Sequence, residues 1–569
     1  MNSSIRRVLS FSILVLTCFA FSSCNKDDKA TTITVSPEKV TVNVGETVKV
    51  LAIIEPETQG PATWKSLNES IATVSDGVIT GVSKGETQVE AITKDGSKAT
   101  VMVTVNEAPV GDLSISPNPL RVNEGEDLKV SVNGLPVGVQ ADFKVANSSV
   151  ASVSKDGILH GVEEGATELT VSAKGKTASV KVLVSSKDLI SFVDPVFKEC
   201  VVKGLPTEDG AVLGCIDYNG DGEISKKEAG RLTGKENSLA LFDIIEIEDG
   251  VEKSRRSLQS TEDLKWFPNA MALMVRGCKT LKKIDFDKLP KLTNIMLSDL
   301  PAVSKLDLTT IPHLDGAYIS WVESSSLDFS SCRELTGLII EDVINAPKIK
   351  SINLSGCSKL QVLHVYGAKN LSDNGISWPS EMPRIEDITF DESRVLIQPI
   401  LNKYKNIQKF SATNVDPEEN GQYVNNGVIN IDGMTKLTDL FIGGNRGITG
   451  INITKTPKLI NFFARDCNIK AIDLSNQSAL NHVEVNGNKL ISLRLDNGNT
   501  SAIKHLSAYD NSELKCIKVS EDLTLPLNKD VYDEWYLDET TQLSYNCDGQ
   551  TEKVNHNRRA MKILKRVRK

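Results

Sequence analysis

LTDLFIGGN (437–445), LINFFARDC (459–467) and LNHVEVNGN (480–488) share one pattern: apolar residues at positions 1, 4 and 6, and Asn or Cys at position 9. The same register starts at Ala270, Leu292, Leu314, Leu335, Leu360, Leu437, Leu459, Leu480 and Ile503. A second class alternates with it, starting at Leu281, Val303, Ser324, Ile349, Ile448, Ile469 and Leu490. Side chains alternate across an extended strand, so positions 4 and 6 face one way and positions 3, 5 and 7 the other. A unit this short cannot bury its apolar edge alone, so the spacing predicts a stacked parallel-β coil with two strand-like edges per turn and a lengthwise core.

Stacking places positions 3, 5 and 7 of successive rungs in outward columns about 4.8 Å apart. The second class repeats Asp285, Asp307, Asp328, Asn353, Asn452 and Asp473 at position 5, a uniform polar column. The first class varies at the same position, from Met274, Met296, Tyr318, Ile339 and His364 to Phe441, Phe463, Glu484 and Ser507. Aromatic and Arg side chains in variable columns suit a recognition surface, because they supply large area and directed hydrogen bonds. The candidate patch is Phe441, Phe463, Arg465, His482, His505 and Tyr509. Residues 372–436 break the register with a helix-like stretch, SRVLIQPILNKYKNIQKF, interrupted by Pro399, and a polar loop. They read as two irregular rungs with a longer outer side, or as a functional insertion.

The rung pattern resembles the leucine-rich repeat. Likeness to internalin-type adhesins implies binding of a protein or cell-surface ligand, an implication by analogy only. The repeat also accounts for four of the ten cysteines: Cys278 and Cys467 hold position 9 of the first class, Cys332 and Cys357 that of the second. They are expected to be buried free thiols. Cys516 and Cys547 flank the last rung and the segment DEWYLDETTQLSYNC; a disulfide there and two thiols are both open. Cys200 and Cys215 form a further candidate pair.

Upstream, residues 32–184 alternate Val-, Ile- and Thr-rich runs with Gly or Asn/Asp turns, the pattern of small antiparallel sandwiches. WKSLNESIATVSDGVITGVSKGETQVEA from Trp64 aligns with FKVANSSVASVSKDGILHGVEEGATELTV from Phe143, with Gly81/Gly161 and Gly85/Gly165 at the same offset. These tandem copies resemble the bacterial immunoglobulin-like group 2 domain, with Phe143 replacing the usual tryptophan. In that family such domains commonly serve as stalks.

DYNGDGEISKKE (217–228) has the spacing of an EF-hand calcium loop. Asp217, Asn219 and Asp221 fill positions 1, 3 and 5, Gly222 the turn, Glu223 the backbone-carbonyl position, Ser225 position 9 and Glu228 the bidentate position 12. Hard oxygen ligands so spaced wrap calcium, and a single extracellular loop is expected to serve structure.

At the amino end, Arg6 and Arg7 precede an apolar run, Val8 to Phe21, that is too short to span a bilayer and is laid out as a secretory signal. It closes on FSSC, which resembles a bacterial lipoprotein box with Cys24 as the acylated residue. The following NKDDK resembles the acidic export tag of surface lipoproteins of Bacteroidetes-type bacteria. The expected location is the outer membrane, lipid-anchored and facing the exterior.

The formal charge is -9, or -11 without Arg6 and Arg7, and the only dense basic run is the tail 558–569. Nucleic acid is therefore excluded as an expected partner. Six scattered histidines, His160, His313, His364, His482, His505 and His556, come without HExxH, GxSxG or zinc spacing, so no catalytic residues are assigned and no enzyme is expected. A carboxylate pair for glycoside hydrolysis is the one catalytic option the acidic column leaves open.

The fold class is multidomain: two all-β immunoglobulin-like sandwiches, then a leucine-rich-repeat solenoid of parallel β with short loops and helices. The expected boundaries are 1–23 signal peptide, 24–31 acidic tether, 32–106 and 111–185 Ig-like domains, 187–262 helical cap with the calcium loop, 263–525 repeat domain and 526–569 carboxyl-terminal cap and basic tail. Partners expected are an extracellular protein, or alternatively a glycan as part of a polysaccharide-uptake system, and the membrane through the lipid. Protease shaving of intact cells checks the display: loss of the chain together with a known surface marker is expected, and survival of the chain means that it faces the periplasm.

Overall fold

The computed structural model describes residues 31–55, 60–136, 138–232, 238–342, 347–415, 418–419, 422–528 and 530–547. The expected signal, the expected lipidation residue Cys24, most of the expected tether and the basic tail lie outside them. No helix among the described residues is long and apolar enough to cross a membrane.

The two amino-terminal domains repeat one topology. In the first, a four-stranded sheet runs Lys39–Asn43, Lys98–Asn106, Gly85–Ile92, Thr63–Ser66, facing a three-stranded sheet of Thr47–Lys49, Val78–Gly81 and Ala72–Ser75. In the second, Leu120–Asn123, Lys176–Ser185, Gly165–Ala173 and Asp142–Val145 form the same four-stranded order. The alternating Val, Ile and Leu positions meet in two separate cores, with Trp64 packed on one and Phe143 on the other. Gly81 and Gly161 are fixed by close backbone approach: a Cβ there would stand 2.6 Å from the Asn43 carbonyl and 2.5 Å from that of Asn123.

The repeats build a parallel sheet of 13 strands, each bonded to the next in chain order, from Ser238–Phe242 to Trp535–Tyr536. The register is unbroken: Leu273, Ile295, Ala317, Leu338, Leu363, Ile388, Phe410, Leu440, Phe462, Val483 and Leu506 follow one another as direct partners. All face the lengthwise core. The irregular segment keeps this edge continuous through Asp387–Asp391 and Lys409–Thr413. Helix Ile397–Lys403 lies between them in sequence and buries Ile397, Ile400 and Leu401. Pro399 sits in its first turn, where a missing N–H is tolerated.

Three expectations need correction. The sheet runs past 263–525 at both ends, because strand pairing is a backbone interaction that SLALF (238–242) and Trp535–Tyr536 satisfy without the repeat motif. The second edge is not continuous: its early rungs are short 3-10 turns, Phe286–Lys288 and Leu308–Thr310, and later ones form separate short sheets. Cys200 and Cys215 are unpaired, since the thiol of Cys200 lies 3.2 Å from the Phe242 carbonyl and that of Cys215 lies 3.1 Å from that of Val202.

Position 8 of the first-class rungs takes the left-handed conformation at Gly277, Asp299, Gly367, Asn414, Gly444, Asp466, Gly487 and Asp510, residues that tolerate it, and also at Trp321 and Glu392. The turn brings position 9 inward. There Asn488 Nδ2 donates to the carbonyls of Ala464 (2.7 Å) and Val485 (3.0 Å), and its Oδ1 accepts from Ile469 N at 3.1 Å. Asn445 and Asn511 repeat the arrangement. The thiols of Cys332, Cys357 and Cys467 approach carbonyls of the preceding rung at 3.6, 3.3 and 3.3 Å. Burial pushes the Cys357 thiol up to about 12 and that of Cys332 to about 11, so both stay protonated donors. At the carboxyl end a disulfide joins Cys516 to Cys547.

Asn488→Ala orphans the buried Ala464 carbonyl and the Ile469 N–H and leaves the Val485 carbonyl only its bond from Asn511, and a loss of about 2–4 kcal/mol in chemical denaturation is expected. The exposed Ser478→Ala is expected to stay within about 0.5 kcal/mol. Opening the 31-residue disulfide separation with Cys547→Ser is expected to lower stability by about 2–4 kcal/mol, read in the same titration without reductant.

Candidate functional site

In-register stacking carries the sequence columns into space. Met274, Met296, Tyr318, Ile339, His364, Thr389, Ser411, Phe441, Phe463, Glu484, Ser507 and Tyr536 are successive partners on the outward side of the long sheet. Phe441 and Phe463 stack with centroids 4.6 Å apart and planes at 17°. His482 and His505, one column over, stack at 5.5 Å and 22°. Neighbouring rings cover one another's faces, so this part of the sheet offers ring edges rather than a flat platform.

Charge is threaded through the rings. Arg465 Nη1 lies 3.5 Å from Glu484 Oε2, Glu484 Oε1 3.7 Å from His505 Nε2, and His505 Nδ1 3.5 Å from Glu534 Oε2. Glu534 and Tyr536, whose ring centroid is 5.7 Å from that of His505, belong to the surface although no repeat motif marks them. Their only sequence signal is the aromatic, acidic composition of DEWYLDE.

Tyr509 stands apart from the stacked rings. It lines, with Tyr423, Arg446, Arg465, Asp466 and Asn486, a polar groove of about 800 Å³ at the strand exits. Gly444 makes room for it: at φ 77°, a Cβ there would lie 2.1 Å from Asn414 Oδ1. The groove was illegible in sequence because it depends on the left-handed turns at position 8.

The acidic column of the second edge is occupied with local structure. Asp328, Asn353 and Asp473 each accept from the backbone N–H two residues on, at 2.9, 3.2 and 3.0 Å. Asp473 also meets Arg494 at 3.0 Å.

The 217–228 loop folds around its own acidic side chains. Asp217 Oδ1 accepts from Gly220 N and Asp221 N at 2.7 and 3.0 Å, and its Oδ2 from Gly222 N at 2.9 Å. Asn219 Oδ1 accepts from Asp221 N and Asp221 Oδ1 from Glu223 N, at 2.9 and 2.8 Å. Ser225 and Glu228 form a reciprocal capping box on helix Lys226–Gly230. Glu223 turns its side chain to Lys198 at 2.7 Å, which leaves its backbone carbonyl for the loop. Burial first, then the charges of Glu164 and Asp217, push the Glu228 carboxyl up to about 7. Among the described residues no three His, Cys, Asp or Glu side chains are gathered as a ready metal centre. The loop offers mixed oxygens instead: carboxylates, the Asn219 amide and a backbone carbonyl, the donor chemistry of a hard cation. A buried and unpartnered Glu164 Oε2 beside it fits a missing positive charge.

The bacterial Ig-like domain (group 2) family matches residues 29–104 and 109–184. These two segments are group 2 Ig-like domains. Domains 4 and 5 of the S-layer protein SbsC are similar in structure at 20% identity, over 28% of this chain and 98% of theirs, with a TM-score of 0.16. An internalin, InlF, from Listeria monocytogenes is similar at 16% identity over 61% of this chain and 92% of its own, TM-score 0.32. The functional domain of InlJ from the same organism, described as including a cysteine ladder, is similar at 17% identity over 53% and 72%, TM-score 0.30. The comparison with curated proteins gives no match.

Proposed function

We propose that this chain is a lipid-anchored recognition protein of the bacterial outer surface, in which the two group 2 Ig-like domains form a stalk and the repeat solenoid binds a protein or cell-surface ligand. The observation that carries the binding reading is the variable column face from Phe441 to Tyr536, where aromatic edges, histidines and the Arg465–Glu484–His505 charge line lie side by side. A broad surface that mixes apolar edges with directed polar groups suits a protein partner, because binding energy concentrates in aromatic and Arg anchors inside a polar rim. Cys24 is the proposed lipid attachment and NKDDK the proposed display signal. Calcium, held by the carboxylates of Asp217, Asp221 and Glu228, the Asn219 amide, the Glu223 carbonyl and position 9 at Ser225, is the proposed structural ion. No catalytic role is assigned.

The groove supports a second reading, capture of a glycan. Its tyrosines, planar amides and charged groups are the lining a saccharide needs, and about 800 Å³ is room for a few sugar units.

A glycan array and a surface-protein pull-down with the chain from residue 25 onward separate the two. In the assay that yields a ligand, Phe463→Ala and Tyr509→Ala are compared with Asp307→Ala and Asp473→Ala, all checked for folding. A true anchor is expected to weaken binding by about 2 kcal/mol or more and the aspartates by much less. Loss with Tyr509→Ala alone, on a glycan, favours the groove. Loss in the aspartate variants only reverses the assignment of faces.

A further inference from the structure

The 217–228 loop is built into the junction between the second Ig-like domain and the solenoid. Arg121 of the Ig-like domain donates from Nη1 to the Asp221 carbonyl at 2.7 Å. Asn219 Nδ2 donates to the carbonyl of Val184, on the last strand of that domain, at 3.3 Å. Lys227 pairs with Glu163, and Ile190 N, in the connecting segment, donates to Ile224 O at 2.8 Å. Calcium positions 3, 5 and 11 are therefore already in contact with the neighbouring domain.

A cavity of about 360 Å³ lies at this seam, lined by Glu164 from the Ig-like side and by Tyr218, Asn219, Glu228 and Arg231 from the loop side. Glu164 is only 5% exposed, yet its Oε2 has no hydrogen-bond partner. Glu228, across the seam, is 1% exposed and spends both oxygens on the N–H groups of Tyr218 and Ser225. Two buried carboxylates facing one cavity repel, and an unpaired buried charge is expensive. Arg231 at the same cavity, 5.9 Å from the Tyr218 ring centroid, is the one basic group lining it.

Resting on the calcium reading above, we infer that the ion is an interdomain staple: the loop binds it on the solenoid side, and Glu164 of the second Ig-like domain is drawn in as an additional carboxylate, so that calcium fixes the stalk to the repeat domain. The carboxylates are not gathered beforehand, so binding and domain locking are one coupled event, and the coupling is reciprocal. A loop sealed inside a single domain would lack these contacts.

The test uses the chain from residue 25 onward, titrated with calcium alone by calorimetry, with hydrogen exchange of segments 160–186 and 217–228 and small-angle scattering recorded with calcium and with chelator. Wild type is expected to bind, to gain exchange protection in both segments, and to show a narrower distribution of domain separations. Glu164→Gln, which keeps size and polarity, is expected to bind about tenfold or more weakly, because affinity in such loops follows the count of charged ligands, and to lose the protection of 160–186. Glu164→Asp is expected to recover part of both. Asp217→Ala removes binding and serves as the loop control. If wild type does not bind, the calcium reading fails and the staple with it. If Glu164→Gln binds and protects as wild type does, calcium remains a ligand of the loop and the staple is overturned, leaving Arg231 as the partner of the seam carboxylates.

Discussion

Every rung of the solenoid must turn away from the long sheet while its backbone polar groups are still buried, and the rest of the structure depends on how that turn is satisfied. An unpaired buried carbonyl costs on the order of 1–3 kcal/mol, repeated at each coil. The left-handed residue at position 8 folds the chain inward; where position 9 is Asn445, Cys467, Asn488 or Asn511 it delivers an amide or a thiol to carbonyls of its own and the preceding rung, and where it is Leu300, Val322 or Ala368 it adds an apolar side chain to the core. Asn makes three such bonds at a site, whereas a thiol makes weaker, longer ones. Along the long sheet the polar ladder is concentrated in the last rungs, at Asn445, Cys467, Asn488 and Asn511.

Because the ladder locks each coil to its neighbour, side chains on the outward face inherit a fixed lateral spacing. The 4.6 Å separation of the Phe441 and Phe463 rings is close to the strand spacing itself. Side-chain chemistry can then vary at positions 3, 5 and 7 without disturbing the core, which uses positions 1, 4 and 6. The second edge shows the opposite use of the same freedom, its Asp and Asn side chains closing local turns.

The ends of the stack face a different problem, an exposed apolar core. At the carboxyl end Trp535–Tyr536 and Gln542–Ser544 add a final strand to each edge, and the Cys516–Cys547 disulfide holds the return segment. At the amino end, helix Pro195–Lys203 buries Phe197, Cys200 and Val201 over the first strand, and Asp194 caps it while accepting from Gln259 N and Ser260 N. That cap carries the 217–228 loop, so its acidic side chains are positioned by the same packing that closes the core.

The sequence by itself determined the tandem Ig-like pair, the rung period, the inward set of apolar residues, the buried cysteines at position 9 and the membership of the outward columns. These are periodic, and periodicity survives in a one-dimensional string because each residue's role repeats with its neighbours in the stack. Only the tertiary structure decided where the sheet ends, that Cys200 and Cys215 stay apart, that Glu534 and Tyr536 join the Phe441 to Tyr509 face, and that the groove and Glu164 meet residues far away in sequence. Those features arise from backbone pairing without a motif, or from contacts between segments that share no period, so no local pattern of residue types records them.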